Sequence, residues 1–240
     1  VLQENHLAEI SRYLNSGPKS VYTVHNWKFA PIFLKTVELI QSGLIGSIEH
    51  VRYEVLRTGP SVAVAGKNNV NWRLQPELSG GGILVDHGWH AFYNICGWIG
   101  KKPLRARATL ENRKFTELAV EDTATVTIDY DRASAEVFFT WAAAERKNKA
   151  VVTGSRGQLQ ILDDVIKCSV DNSEIKFSEA LSKGSHHPEW YSFIVEDFIR
   201  SMSDKEFRDN NFKEASESLM LTTGAQRSGQ TGGAAVELKF

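Results

Sequence analysis

The sequence predicts an α+β protein organised on one mostly antiparallel sheet. Three observations predict it. Between Pro103 and Phe177 the chain falls into a succession of short alternating or β-branched stretches. Those stretches are joined by turns too short for the crossovers that parallel pairing needs. Segments with helical periodicity stand before and after them.

In chain order, residues 4 to 16 place Leu7, Ile10 and Leu14 on one helical stripe, and Asn15-Ser16-Gly17-Pro18 stops it. Val21-Tyr22-Thr23-Val24 reads as a short strand. Its polar end, His25-Asn26, falls where ligands gather in α/β units, and a plain turn explains the same two residues. Pro31 opens the next helix, with Phe33, Leu34, Val37, Leu39 and Ile40 on its buried side and Ser42-Gly43 at its end. Ile48 to Arg57 reads as a strand, and Thr58 to Glu77 as a loop marked by Gly59-Pro60, Gly66 and Asn68-Asn69. A long loop inside a compact domain is often functional. Within it, Trp72 can plug the core edge while Arg73 lies in solvent. Alternatively, Arg73 offers a fixed fork of donors to an anion or a polyol.

Ser79-Gly80-Gly81-Gly82 runs into a helix that starts near Ile83 and ends at Gly100. Asp86 lies in its first turn and His90 follows four residues later, so both share one face. The three glycines leave room for another molecule to approach the backbone. An imidazole beside a carboxylate can take and return a proton near neutral pH. The macrodipole alone also favours Asp in a first turn, with His90 simply bonded to it, and spacing leaves both readings open.

Strands follow at Pro103 to Glu111, Asp122 to Tyr130, Ala133 to Trp141, Ala150 to Thr153, Gln158 to Leu162, Val165 to Val170 and Glu174 to Phe177. Gly154 and Gly157 sit in a hairpin with no helix after them, so they do not read as a phosphate loop. Ser185-His186-His187-Pro188 precedes a helix from about 189 to 202, and His187 is a candidate loop histidine near a substrate. Adjacent histidine side chains diverge, and no other ligands stand at suitable spacing, so no metal site is assigned. Another helix covers Phe212 to about Arg227, and Ala235 to Leu238 adds a last strand.

Composition narrows the function. The 240 residues carry a formal net charge of -1 and no basic block, which argues against nucleic acid as a partner. Cys96 and Cys168 are too few for a disulfide framework. No apolar run is long enough to span a membrane, and no signal peptide is visible. The expectation is a cytoplasmic protein.

Several pieces occur together and in order: His25-Asn26-Trp27-Lys28-Phe29-Ala30-Pro31, Ser42-Gly43-Leu44-Ile45-Gly46-Ser47-Ile48, Trp72-Arg73, and Gly81 through His90. Then come Glu121-Asp122-Thr123-Ala124, Thr153-Gly154-Ser155-Arg156-Gly157, Ser228-Gly229 and Val236-Glu237-Leu238. In this order they resemble the C-terminal part of the glucose–fructose oxidoreductase / inositol dehydrogenase / rhizopine-catabolism (Gfo/Idh/MocA) family. The resemblance implies an open, mostly antiparallel sheet with helices on one face, like the C-terminal domain of dihydrodipicolinate reductase. Residues 1–24 would be a Rossmann remnant, its last helix and strand. Residues 25–240 would bind substrate and oligomerise. It implies an NAD(P)-dependent oxidoreductase acting on a sugar, cyclitol or related alcohol, with NAD or NADP held by the complete protein. His90 would exchange the substrate hydroxyl proton, and Asp86 would orient and tune it. Trp72, Arg73 and His187 would line the substrate cleft. His25, Asn26 and Lys28 would lie near the cofactor. The open sheet face would pair subunits into a homodimer or homotetramer. Three departures stand out. The family's glycine-rich loop and its Glu-Lys-Pro motif are missing, and Lys28 stands where arginine is common.

Two other classes compete. One is a non-catalytic binding or assembly module derived from that family. The other is a metal hydrolase using Asp86, His87, His90 and His186.

Overall fold

The computed structural model describes residues 4–17, 20–61, 71–184 and 187–239. The elements are α1 (Glu4–Asn15), α2 (Pro31–Gln41), β1 (Ile48–Leu56), α3 (Pro76–Ser79), α4 (Ile83–Ile99), β2 (Pro103–Glu111), β3 (Thr123–Tyr130) and β4 (Ala133–Thr140). They continue with β5 (Lys147–Gly154), β6 (Gly157–Leu162), β7 (Val165–Cys168), β8 (Glu174–Lys176), α5 (Tyr191–Ser203), α6 (Lys205–Gln230) and β9 (Val236–Glu237).

The strands make one nine-stranded sheet in the order β8-β7-β6-β5-β1-β4-β3-β2-β9. Every pairing is antiparallel except β1 with β4, which run parallel from His50 opposite Ser134 to Leu56 opposite Thr140. The long connection from β1 to β4 carries α4, so β1 is free to enter the sheet in the parallel sense. Alternation along each strand gives two faces. Val51, Tyr53, Val55, Val126, Ile128, Val137, Phe139, Val152 and Leu159 are buried on one. Arg52, Glu54, Arg105, Arg107 and Asp129 pair with one another on the other. Helix α4 lays Leu84, Phe92 and Ile95 on the buried face, and Phe92 meets Phe139 edge to face at 5.9 Å. Helix α6 covers β2, where the Ser228 hydroxyl accepts from the Ala108 amide and donates to the Ala234 carbonyl.

Two expectations need correcting. Val21 to Val24 is not a strand. Its partner is a side chain: the Asn211 amide accepts from Thr23 N–H and donates to Thr23 C=O. The last long helix begins at Lys205 rather than Phe212, because the Asp204 carboxylate accepts from the Phe207 amide and caps it there. Of the loop between Thr58 and Glu77, Gly66, Asn68 and Asn69 lie outside the described residues.

The amino end of α4 is closed by Glu121, just before β3. Its carboxylate accepts from Gly82 N–H at 2.9 Å and Leu84 N–H at 3.1 Å, and its carbonyl accepts from Ile83 N–H at 3.1 Å. Three donors that a helix start leaves open are thus satisfied by one residue. A Cβ on Gly82 would collide with the Glu121 carbonyl oxygen. Gly82 therefore admits Glu121, and Gly81 stands against Val85 and Gln226. Replacing Glu121 by Ala strands two buried donors and is expected to cost about 1–3 kcal/mol. Thermal unfolding checks this, at roughly 2–4 °C of melting temperature per kcal/mol; an unshifted transition contradicts it.

Candidate active site

Helix α4 carries the site, and residues from five other regions complete it. Asp86 and His90 project from the same side of α4 into a cavity of about 160 Å³. Asn26 and Trp27 come from the turn before α2, Arg57 from the end of β1, and Arg73 from the turn before α3. His87, Arg146 and His187 complete the polar wall.

The carboxylate does not meet His90 as the spacing suggested. Asp86 Oδ1 accepts from Arg73 Nε at 3.3 Å, and Oδ2 lies 3.1 Å from His87 Nδ1. Behind His87, the guanidinium of Arg57 donates from Nε to His87 Nε2 at 3.1 Å. An Nε2 that accepts leaves Nδ1 to carry the proton, so Arg57 fixes the tautomer and turns N–H toward Asp86. Burial pushes the Asp86 carboxyl up, but the bond to His87 and the charge of Arg73 outweigh it and hold it at about 2. Burial lowers His87 more than Asp86 raises it.

His90 is enclosed by aromatic rings. It stacks on Trp27 with centroids 4.7 Å apart and planes 10° apart, and its Nδ1 lies 3.1 Å from Tyr93 Oη. Tyr93 is placed in turn by the Trp27 amide, which donates to Oη at 2.9 Å. Burial, helped by neighbouring His87, lowers His90 from its ordinary value to about 3. The ring is neutral at neutral pH. With Nδ1 taken by Tyr93, Nε2 is the nitrogen left for a ligand. The Tyr93 hydroxyl can present its proton or its lone pair, so it serves His90 in either tautomer.

The other candidates divide. Asn26 and His187 line the cavity, and His187 stacks on Trp190 with centroids 3.8 Å apart. Trp72 is 45% exposed, stacks on the Arg73 guanidinium at 4.5 Å and does not line the cavity. His25 is buried, stacked on Tyr93, with Nδ1 3.4 Å from Glu214, and Lys28 is ion-paired to the same carboxylate. Those three lie in a second pocket with Tyr22 and Asp197. Sequence reasoning assigned no role to Arg57 or Arg146, and gave His87 one only in the metal-hydrolase alternative. A charged residue ending a buried strand was the available signal for Arg57. His87 gives none, since adjacent helix positions do not share a face.

A dinucleotide's pyrophosphate needs free N–H groups at a helix start. At α4 these are taken by Glu121. Among the described residues no glycine-rich turn leads from a strand into a helix with its amides free. The described residues therefore do not fit a dinucleotide cradle. Nor do the ligand atoms of Asp86, His87 and His90 converge as a metal set would. Among the described residues the cation-competent group is Glu179, His187 and Glu189. His186 lies outside the described residues.

Comparison with known proteins adds the family. The model of the GFO/IDH/MocA C-terminal domain matches residues 33–160. Oxidoreductase P35 of Formosa agariphila is 27% identical over 150 residues, covering 58% of this chain. The chain spans only 42% of that relative's length. Among solved structures, the aldose–aldose oxidoreductase of Caulobacter crescentus, complexed with glycerol, superposes with a TM-score of 0.80 at 15% identity. That match covers 99% of this chain and 70% of the other. An inositol dehydrogenase homologue of Azotobacter vinelandii, complexed with NADH and myo-inositol, gives 0.76 at 17% identity, covering 98% and 69%. These two likenesses fix the fold: an open, mostly antiparallel sheet with helices. No helix of the described residues is long and apolar enough to cross a membrane.

Burial of neutral histidines predicts acid sensitivity. The unfolded chain takes up protons near pH 6.5 that folded His25 and His87, both lowered by burial, refuse. Stability is therefore full above pH 6.5 and falls as pH drops below it, by about 1.4 kcal/mol per pH unit for each ring. Denaturant melts between pH 7.5 and 5 measure the slope. A flat profile would mean these rings titrate normally.

Proposed function

The chain belongs to the GFO/IDH/MocA family, and from that membership we propose that it is the substrate-binding and subunit-pairing part of an NAD(P)-dependent oxidoreductase acting on a sugar, cyclitol or related alcohol. The observation that carries the reading is His90: a neutral imidazole, its Nδ1 engaged by Tyr93, at the wall of a polar cavity shared with Asp86, Arg73, Asn26 and His187. A neutral ring there can accept the proton that an alcohol loses on oxidation. The imidazolium that forms has Asp86 and its fixed negative charge close by, and Nδ1–H can donate to Tyr93 Oη. Arg73 and His187 hold the remaining hydroxyls, and Asp86 doubles as an acceptor for one of them.

When bound, the dinucleotide supplies the hydride acceptor. Its phosphates would be held by a Rossmann unit outside these 240 residues, of which α1 is the last helix. Asn26, at the cavity wall, and Lys28, in the neighbouring pocket, are the residues that would lie near the cofactor. The charged sheet face bearing Arg52, Arg105, Arg107 and Asp129 is the surface through which subunits would pair.

Two measurements test this. NADH added to the 240-residue protein should leave the nucleotide's fluorescence unchanged, and tight binding would contradict the division of labour. In the complete reading frame, His90→Ala should lower kcat for polyol oxidation by about 10²–10⁴ while the affinity for NAD stays within twofold. Undiminished turnover would remove His90 from the chemistry. Failure to oxidise any polyol would leave a binding or assembly module.

A further inference from the structure

His187 borders two cavities. One is the polar cavity before α4, and the other is a second cavity of about 160 Å³ walled in part by Pro31, Phe177 and Trp190. Two glutamates border that second cavity with it: Glu179, from the loop after β8, and Glu189, two residues beyond His187. One ligand atom from each of the three side chains lies within 4.8 Å of the others. His187 Nδ1 and Glu189 Oε1 are 3.4 Å apart, close to the spacing of about 3.4 Å that two donors keep around one tetrahedral zinc ion. Both carboxylates are half-exposed, so rotation of their side chains can close the rest of the gap. The imidazole is already placed: it is 9% exposed and lies on the Trp190 ring with planes 3° apart. Lys183 donates to Glu179 Oε1 at 2.8 Å, and its charge also reaches Glu189. An exposed pair of that kind contributes little and can yield to a divalent ion.

We propose that Glu179, His187 and Glu189 bind one divalent ion of the zinc class, and that the ion decides which ring nitrogen of His187 carries the proton. An imidazole with two carboxylates is a donor set that zinc accepts, and three protein ligands leave a position for water. Pro31, Ile32, Phe177 and Trp190 give the cavity an apolar surround, which strengthens the pull of the carboxylates on the ion. Bound there, the ion joins the loop after β8 to the turn before α5. Without the ion, the Glu189 carboxylate beside Nδ1 favours the proton on that nitrogen, and Nε2 is an acceptor. With the ion on Nδ1, the proton of the neutral ring sits on Nε2, which becomes a donor. His187 would then donate to a substrate oxygen instead of accepting from its hydroxyl; this consequence rests on the reading of the cavity before α4 as a polyol site, while the ion site does not.

Calorimetric titration of the metal-stripped 240-residue protein with zinc chloride tests this, with magnesium chloride as the comparison. One zinc ion per chain should bind, at least about tenfold more tightly than magnesium, which prefers oxygen ligands. Glu179→Gln and Glu189→Gln should each weaken zinc by about tenfold or more. Asp86→Asn should leave zinc affinity unchanged, which separates this set from the carboxylate and histidines of α4. Melting curves confirm that the variants fold. NMR of the ring nitrogens should find the His187 proton on Nε2 with zinc and on Nδ1 without it. No zinc binding, magnesium binding as tight as zinc, or zinc affinity that survives both glutamine variants would overturn the ion site. A ring proton that stays on Nδ1 would overturn the change of tautomer. A protein that meets these expectations with zinc and binds no polyol would uphold the ion site and overturn only the polyol reading.

Discussion

Glu121 holds the amino end of α4 against the start of β3, and the site stands on that contact. One residue supplies three acceptors to Gly82, Ile83 and Leu84. Burial pushes the Glu121 carboxyl above its ordinary range while the amide bonds it accepts pull the other way. Asp122, next in sequence, fixes the loop after β2 by accepting from the amides of Arg113, Lys114 and Phe115. The pair thus ties a helix and a loop to one strand end. The rotation of α4 about its axis is set there, and with it the direction of Asp86 and His90.

On that footing two histidines one turn apart acquire different duties. His87 is buried between Arg57, which donates to its Nε2, and Asp86, 3.1 Å from its Nδ1, so it passes the orientation of Arg57 on to the carboxylate. His90 lies over Trp27 and, among the described residues, keeps one nitrogen unengaged. Asp86 stays ionised because Arg73 and His87 offset its burial. A fixed negative charge beside a neutral imidazole favours the protonated ring in the moment when it forms, without protonating it beforehand.

The sheet was legible because its strands alternate: Thr123–Tyr130 and Ala133–Thr140 display period two over most of their length, and Asp131-Arg132 turns between them with Arg132 at φ 58°. Helix α4 was legible from its apolar run and from Gly100 at its end. Val21–Val24 had strand composition, but the Asn211 side chain took the place of a neighbouring strand, and no local pattern announces that. The cavity was legible only in part. Asp86, His90 and Arg73 carry spacing or a motif. Arg57, Arg146 and His87 reach the site through pairings between segments up to 91 positions apart, as in the bond from Arg57 to Asn148.

The glycines before α4 show how the same residues support opposite conclusions. A glycine-rich turn entering a helix is what a phosphate needs, because bare amides and the positive end of the dipole coincide there. It is also what a carboxylate of the protein itself needs, for the same reason. Here Glu121 occupies that position, and a side chain at Gly82 would collide with its carbonyl. The amino end of the helix is thereby closed by the protein's own carboxylate, and α4 serves the site through its side chains instead. His90 stays neutral there because burial, with His87 beside it, lowers it.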